Sequence, residues 1–230
     1  MKEDRQRWYL LTFDCSFSSL AEGIIANEFK DGEMFGFDIG DSTRNRISSK
    51  YIQVDKVTNI VKHPYGDEEE HELTLYTVFE FEIYLVNKST AVLKIINPPS
   101  SLKGFVNSLV SLCDNDFSIS KIIFNVEHIF KWLSSYKKIN RCVVNKVFVS
   151  GVSIDSKSSA KISISSEGDA YEALKSKYKK NDYVIDKMQM RCRFKSEDNN
   201  LSVSSSGSLV CSMELVPVIK EYVLEYVSNK

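Results

Sequence analysis

The chain has 230 residues, 43% hydrophobic and 27% charged, with a formal net charge of −1. That is enough apolar side chain for one large domain or two closely packed lobes, and it excludes a chain disordered along its length. No apolar run approaches the ~20 residues of a membrane-spanning helix, and the charged start leading into the short run Trp8–Phe13 lacks the build of a secretory signal.

Trp8–Cys15 reads as a strand, followed by an amphipathic helix to about Phe29 with Leu20, Ile24, Ile25 and Phe29 on one side. Residues 30–46 read as a loop and 47–62 as a strand of mixed polarity. The polar turn His63–Gly66 and the acidic run 67–72 lead into a long strand at 72–86. There Phe79, Phe81, Ile83 and Leu85 alternate with Glu80, Glu82 and Tyr84, the period of a half-buried sheet. Asn87-Lys88-Ser89 turns the chain into a strand at 90–96, which Asn97-Pro98-Pro99-Ser100 stops. The next helix carries Leu102, Phe105, Val106, Leu109 and Cys113. A short strand, 119–124, precedes a helix capped by Asn125 that holds Ile129, Phe130, Leu133 and Tyr136. Strands follow at 142–154 and 160–165, then a helix at 169–180 with Asp169 as its N-cap. The long strand 183–195 and its partner 200–213 lead to a terminal helix with Pro217 in its first turn.

Residues 76–113 and 183–227 share one order: long strand, polar turn, strand, amphipathic helix. The expected fold class is α+β, with antiparallel sheets and helices packed on one face, in two related strand–strand–helix lobes. The expected boundaries are 1–115 and 116–230, with no Gly/Ser/Pro-rich linker between them. The five cysteines, Cys15, Cys113, Cys142, Cys192 and Cys211, form no CxxC pair. They read as reduced thiols of a cytoplasmic protein, with no zinc or other metal site and no cofactor.

The near-zero net charge conceals a segregation of sign. Residues 1–120 carry −7, residues 121–195 carry +9, and residues 196–230 carry −3. A basic middle flanked by acidic segments suits one positive surface meeting a polyanion. In the extended segment 187–195, Met188, Met190, Cys192 and Phe194 fall on one face. Lys187, Gln189, Arg191, Arg193 and Lys195 fall on the other. Cations two residues apart sit about 6.6 Å from one another, close to the phosphate spacing of one DNA strand. Lys175, Lys177, Lys179 and Lys180 end the helix just upstream, and Lys131, Lys137, Lys138, Arg141 and Lys146 form a third cluster. Edge-strand protection and helix-dipole matching are the plainer explanations for any one cluster. The eight residues Lys175, Lys177, Lys179, Lys180, Lys187, Arg191, Arg193 and Lys195 are the expected nucleic-acid-binding set. Their contacts would be to phosphates, with little sequence specificity.

Catalytic motifs are not found. His63, His71 and His128 sit in no metal-binding pattern, and there is no P-loop, GxGxxG or GxSxG. Asp14 with Glu28 and Lys30 loosely matches the acid–x–Lys arrangement of Mg²⁺ nucleases, but at a helix end rather than on a strand. The acidic run 67–72 reads as a solvated turn tip, with DNA mimicry, a metal or a protein partner as the functional options.

From about residue 90 to 213 the order of elements resembles the recombination-associated RdgC family. It rests on Leu93–Asn97, Leu102–Leu112, Ile119–Phe124, His128–Tyr136 with Trp132, then Val184–Phe194, the turn 195–200 and Leu201–Met213. The likeness is of pattern, carries over no individual residue, and leaves the first 70 residues unmatched. It implies a non-enzymatic, sequence-nonspecific binder of double-stranded DNA that forms a homodimeric ring with a basic lining. The expectation is therefore a cytoplasmic DNA-binding homo-oligomer with no membrane association. The alternative is a protein–protein module, as a subunit or inhibitor in a phage-defence or counter-defence complex. A cryptic Mg²⁺ nuclease is the third reading.

Overall fold

The computed structural model describes residues 3–62, 64–66, 68–112, 117–155, 157–179 and 182–229. His63, Asp67, Cys113 and Lys180, all singled out above, lie outside the described residues. The chain divides into two compact units, residues 10–120 and residues 1–9 with 121–230.

In the first unit, α1 (Phe17–Ala26) starts where the Ser16 hydroxyl accepts from the Ser19 amide, and it buries Phe17, Leu20 and Ile24. Strands β2 (Phe35–Thr43), β3 (Arg46–Lys62), β4 (Glu68–Asn87) and β5 (Thr90–Ile96) form an antiparallel series. Helix α2 (Lys103–Ser111) sets the Phe105 ring 5.0–5.2 Å from those of Tyr51, Phe79 and Phe81. β2 occupies the segment read as a loop. Its glycines and aspartates have low strand propensity, but Gly36 is needed because a Cβ there would lie 2.5 Å from the Phe29 Cα. Burial in this unit includes an ionic group. Glu82 of β4 accepts hydrogen bonds from Arg46, Lys94 and Tyr84, and Lys94 is only 4% exposed.

In the second unit, α3 (Val126–Ser135) and α4 (Ala170–Lys177) pack on β7 (Ile139–Ser153). β7 pairs with β8 (Ser159–Ser165) and β9 (Val184–Phe194). Val144 and Val147 of β7 lie opposite Met190 and Met188 of β9, and all four are buried. The α4 N-cap, Asp169, accepts from the amides of Tyr171 and Glu172 at 2.9 and 3.0 Å, and its second oxygen accepts from the Val144 amide. Asp169→Ala is expected to cost about 1–2 kcal/mol, since it strips the cap. A fall of several degrees in the thermal midpoint checks this; an unchanged midpoint refutes it.

β9 continues into β10 (Glu197–Ser204) and β11 (Ser208–Ser212), and α5 (Val216–Ser228) closes the chain with Pro217 in its first turn. β11 pairs with β1 (Glu3–Phe13) over Glu3↔Ser212 to Arg7↔Ser208. The strand order is β2-β3-β4-β5-β1-β11-β10-β9-β7-β8, with β6 (Phe117–Lys121) also on β1. The result is one antiparallel sheet of 11 strands, with 53% of the chain in strand and 24% in helix. This corrects the expected fold class of two strand–strand–helix lobes, each with helices packed on one face. The reason is local: segment 200–213 is not one strand. Ser205, Ser206 and Gly207, at φ +79°, turn it into a hairpin, and the returning strand β11 takes up β1.

Candidate nucleic-acid interface

Strand β9 folds with the side-chain alternation its sequence dictates. Met188, Met190, Cys192 and Phe194 are buried, Arg191 and Arg193 are exposed, and Lys187 and Gln189 are half-buried. It is an interior strand, held by β10 on one side and β7 on the other. Protection of a sheet edge therefore does not account for its arginines.

Residues opposed across an antiparallel ladder share a face, so the register lays out the outer surface in rows. Arg141 lies beside Arg193, which lies beside Asp198. Val143, Arg191, Asn200, the fully buried Ser212 and Glu3 form the next row, from β7 to β1. Lys146, Gln189, Ser202, Val210 and Arg5 make the third. Phe148 and Lys187 belong to the fourth, where Arg7 pairs with Ser208. Each step between strands is about 4.8 Å, so Arg5 stands roughly 14 Å across the sheet from Gln189.

The rows hold seven cations, Arg5, Arg7, Arg141, Lys146, Lys187, Arg191 and Arg193, and the carboxylates Glu3 and Asp198. Glu3 accepts a hydrogen bond from Asn200. The Arg193 Nε donates to Asp198 at 3.0 Å. That bond, helped by the charges of Arg191 and Arg141, holds the Asp198 carboxyl below its ordinary value. Arg141, Arg191, Arg193 and Asp198 line an open cavity of about 310 Å³, to which Asn145, Ser166, Gly168 and a second carboxylate, Glu167, also contribute. Lys146 and Lys187 stand 4.9 and 5.6 Å from the Phe148 ring centroid, which keeps their ammonium groups over the same surface. The Arg7 Nε is buried with no hydrogen-bond partner in the structure, a donor left open on this face.

The seven described residues of the expected set are not one site. Lys187, Arg191 and Arg193 share the outer face. Lys195 sits in the tight β9–β10 turn, where it and Ser196 have φ of 51° and 69°, and its ammonium lies over the Phe194 ring. Lys175 and Lys177 are in the last turn of α4, where cations complement the helix dipole. Lys175 pairs with Glu172 and lies 4.5 Å over the Tyr171 ring. Helix α4 buries Tyr171 and Leu174 and packs on β7, whose buried side is that of Val144 and Val147. Its lysines, and the exposed Lys179 that follows, therefore lie across the sheet from Arg191. Arg5 and Arg7 were missed. They belong to a start of chain read only as charged, although Arg5-Gln6-Arg7-Trp8 already alternates.

The described part of the acidic run lies in the β4 ladder rather than at a turn tip. Glu68 and Glu72 pair with Lys62 and Lys56 of β3, and His71 with Glu69. Asp14 follows β1, Glu28 forms an isolated bridge with Phe37, and the Lys30 amide donates to Glu33. Among the described residues no three His, Cys, Asp or Glu side chains converge as metal ligands, and no helix is long and apolar enough to cross a membrane. The chain matches no protein-family model and no curated protein.

Proposed function

We propose that the chain is a non-enzymatic, sequence-nonspecific DNA-binding protein that contacts duplex phosphates through the outer face of β7, β9, β10, β11 and β1. The observation that carries this reading is the row pattern: seven cations from three strands on one face, with Arg191 and Arg193 on an interior strand. The fixed sheet backbone sets the side chains at pleat and strand spacings, which suits backbone contact rather than base readout. A cytoplasmic homodimer belongs to the same reading.

The test is fluorescence anisotropy of a labelled duplex of about 30 base pairs across a salt series. Submicromolar binding at low salt is expected, with a log–log slope near −5 for about five or six phosphates neutralised. Absence of binding at low salt refutes the proposal. A protein–protein module is the second reading, favoured by the far half of the β3–β4 hairpin, where Val57, Leu73, Leu75 and Tyr76 are all more than two-fifths exposed. Stoichiometric co-purification of another protein that covers this hairpin would favour it.

A further inference from the structure

A second site lies on the helices of the 121–230 unit, away from the arginine rows. Helices α3 and α5 place Trp132 and His128 beside Tyr222 and Tyr226, around an open cavity of about 420 Å³. The floor is Tyr222, 1% exposed, whose hydroxyl is hydrogen-bonded to the His128 Nδ1 at 2.9 Å. The Trp132 and Tyr222 rings meet nearly edge to face at 5.2 Å, and His128 and Tyr226 are 6.2 Å apart. Tyr136 stacks on Trp132 at 4.7 Å and fixes the indole. Glu225 completes the lining and accepts the Trp132 indole N–H at 3.0 Å, which holds its carboxylate at the pocket.

We propose that this pocket binds an alkylated ammonium group, the chemistry shared by choline-like molecules and methylated lysine side chains. Aromatic faces carry the negative end of the ring quadrupole, and several converging on one space favour a cation over a neutral group of the same shape. Glu225 adds a formal charge. Burial first, then the neighbouring Tyr226 and Glu225, push the Tyr222 hydroxyl well above the ordinary tyrosine value. Asn229 and Tyr226 also bring the carbonyl end of α5 to the cavity, and that last turn holds no basic residue. The opposing positive end of α3 is met by the Asn125 cap and by Glu127. An alkylated ammonium is favoured over a bare one because its methyl groups fill apolar walls and it gives up less hydration on entry.

The experiment is isothermal titration calorimetry with tetramethylammonium, choline and the uncharged tert-butyl analogue of choline. Two peptides of one sequence, with trimethyl-lysine or plain lysine, complete the set. Choline and tetramethylammonium are expected to saturate, with the uncharged analogue at least about tenfold weaker. Tighter binding of the trimethyl-lysine peptide than of choline assigns the group to a protein side chain, and the reverse order assigns it to a small molecule. Equal affinity for choline and its uncharged analogue overturns the proposal, as does failure of both cations to saturate. Trp132→Ala removes a wall but also a packing residue, so Glu225→Gln is the cleaner variant. Its amide oxygen can still accept the indole N–H, and choline affinity should fall about tenfold with an unchanged circular dichroism spectrum. Unchanged affinity in Glu225→Gln overturns the role of the charge. Because the DNA face is untouched by these probes, the duplex titration stands or falls independently.

Discussion

Replacing Arg191 and Arg193 together by glutamate will weaken duplex binding about a hundredfold at low salt and flatten the salt dependence. The double variant removes two cations from the centre of the outer face and puts two carboxylates beside Asp198, where phosphates are proposed to lie. The fold should survive. Both side chains are exposed, and the β9 ladder and its buried methionines are unaffected. The lost Arg193–Asp198 pair is an exposed, solvent-screened contact that adds little to stability. The matched comparison is Lys175→Glu with Lys177→Glu on α4, across the sheet. If the outer face is the site, that variant keeps affinity within a few-fold. Equal losses from both variants would mean general charge attraction rather than a defined face, and no loss from the arginine variant would remove the face from consideration.

Glu82→Ala will destabilise the protein by about 3–5 kcal/mol, the largest effect expected of any single substitution described above. Glu82 is 9% exposed and takes hydrogen bonds from Lys94 and Tyr84 on one oxygen and from Arg46 on the other. Truncation leaves the ammonium of Lys94 in a site that is 4% exposed, without the carboxylate that offsets its desolvation. Burial alone would push the Glu82 carboxyl up. The hydrogen bonds from Lys94, Tyr84 and Arg46 outweigh burial and hold it below its ordinary value. A carboxylate with a depressed folded-state pKa contributes stability that is present above the unfolded value and lost as the pH falls through the folded one. The Glu82→Ala variant should therefore show its full deficit at neutral pH and a narrowing one in acid. Chemical denaturation followed by circular dichroism at neutral and acid pH measures both. A deficit under about 1 kcal/mol, or one that grows in acid, contradicts this account. The double change Glu82→Leu with Lys94→Met should recover much of the loss, since a well-packed apolar pair avoids burying an ammonium whose carboxylate has been removed.

Much of the strand and helix content was legible because periodicity is a local signal. The alternation of β9, the stripes of α2 and α5, and the caps at Asn125 and Asp169 are all written within a few residues. The sheet was not legible, because pairing is set by turns and by distant partners. One unread turn, Ser205–Gly207, converted a hairpin into a single long strand and concealed the partner of β1. The same error dispersed the candidate site. Arg5 and Arg7 looked like part of an acidic half until β11 set them on the same sheet face as the cations of β9 and β7, while the lysines of α4, close to β9 in sequence, went to the other side. Sign segregation along the chain marked a basic region, but only register could say which of its cations share a surface.

The pairing of β1 with β11 also sets an order of events for a chain emerging from the ribosome. Glu3 meets Ser212, roughly 200 residues later, so β1 must wait for β11 before this ladder can close. Until then the Glu3–Arg7 part of β1 lacks its β11 partner, and closing so long a loop slows this step. A nascent or C-terminally nicked chain would carry an open strand edge beside buried-type residues such as Trp8 and Leu11. Synthesis, rather than the finished fold, is the interval in which this protein is most exposed to aggregation.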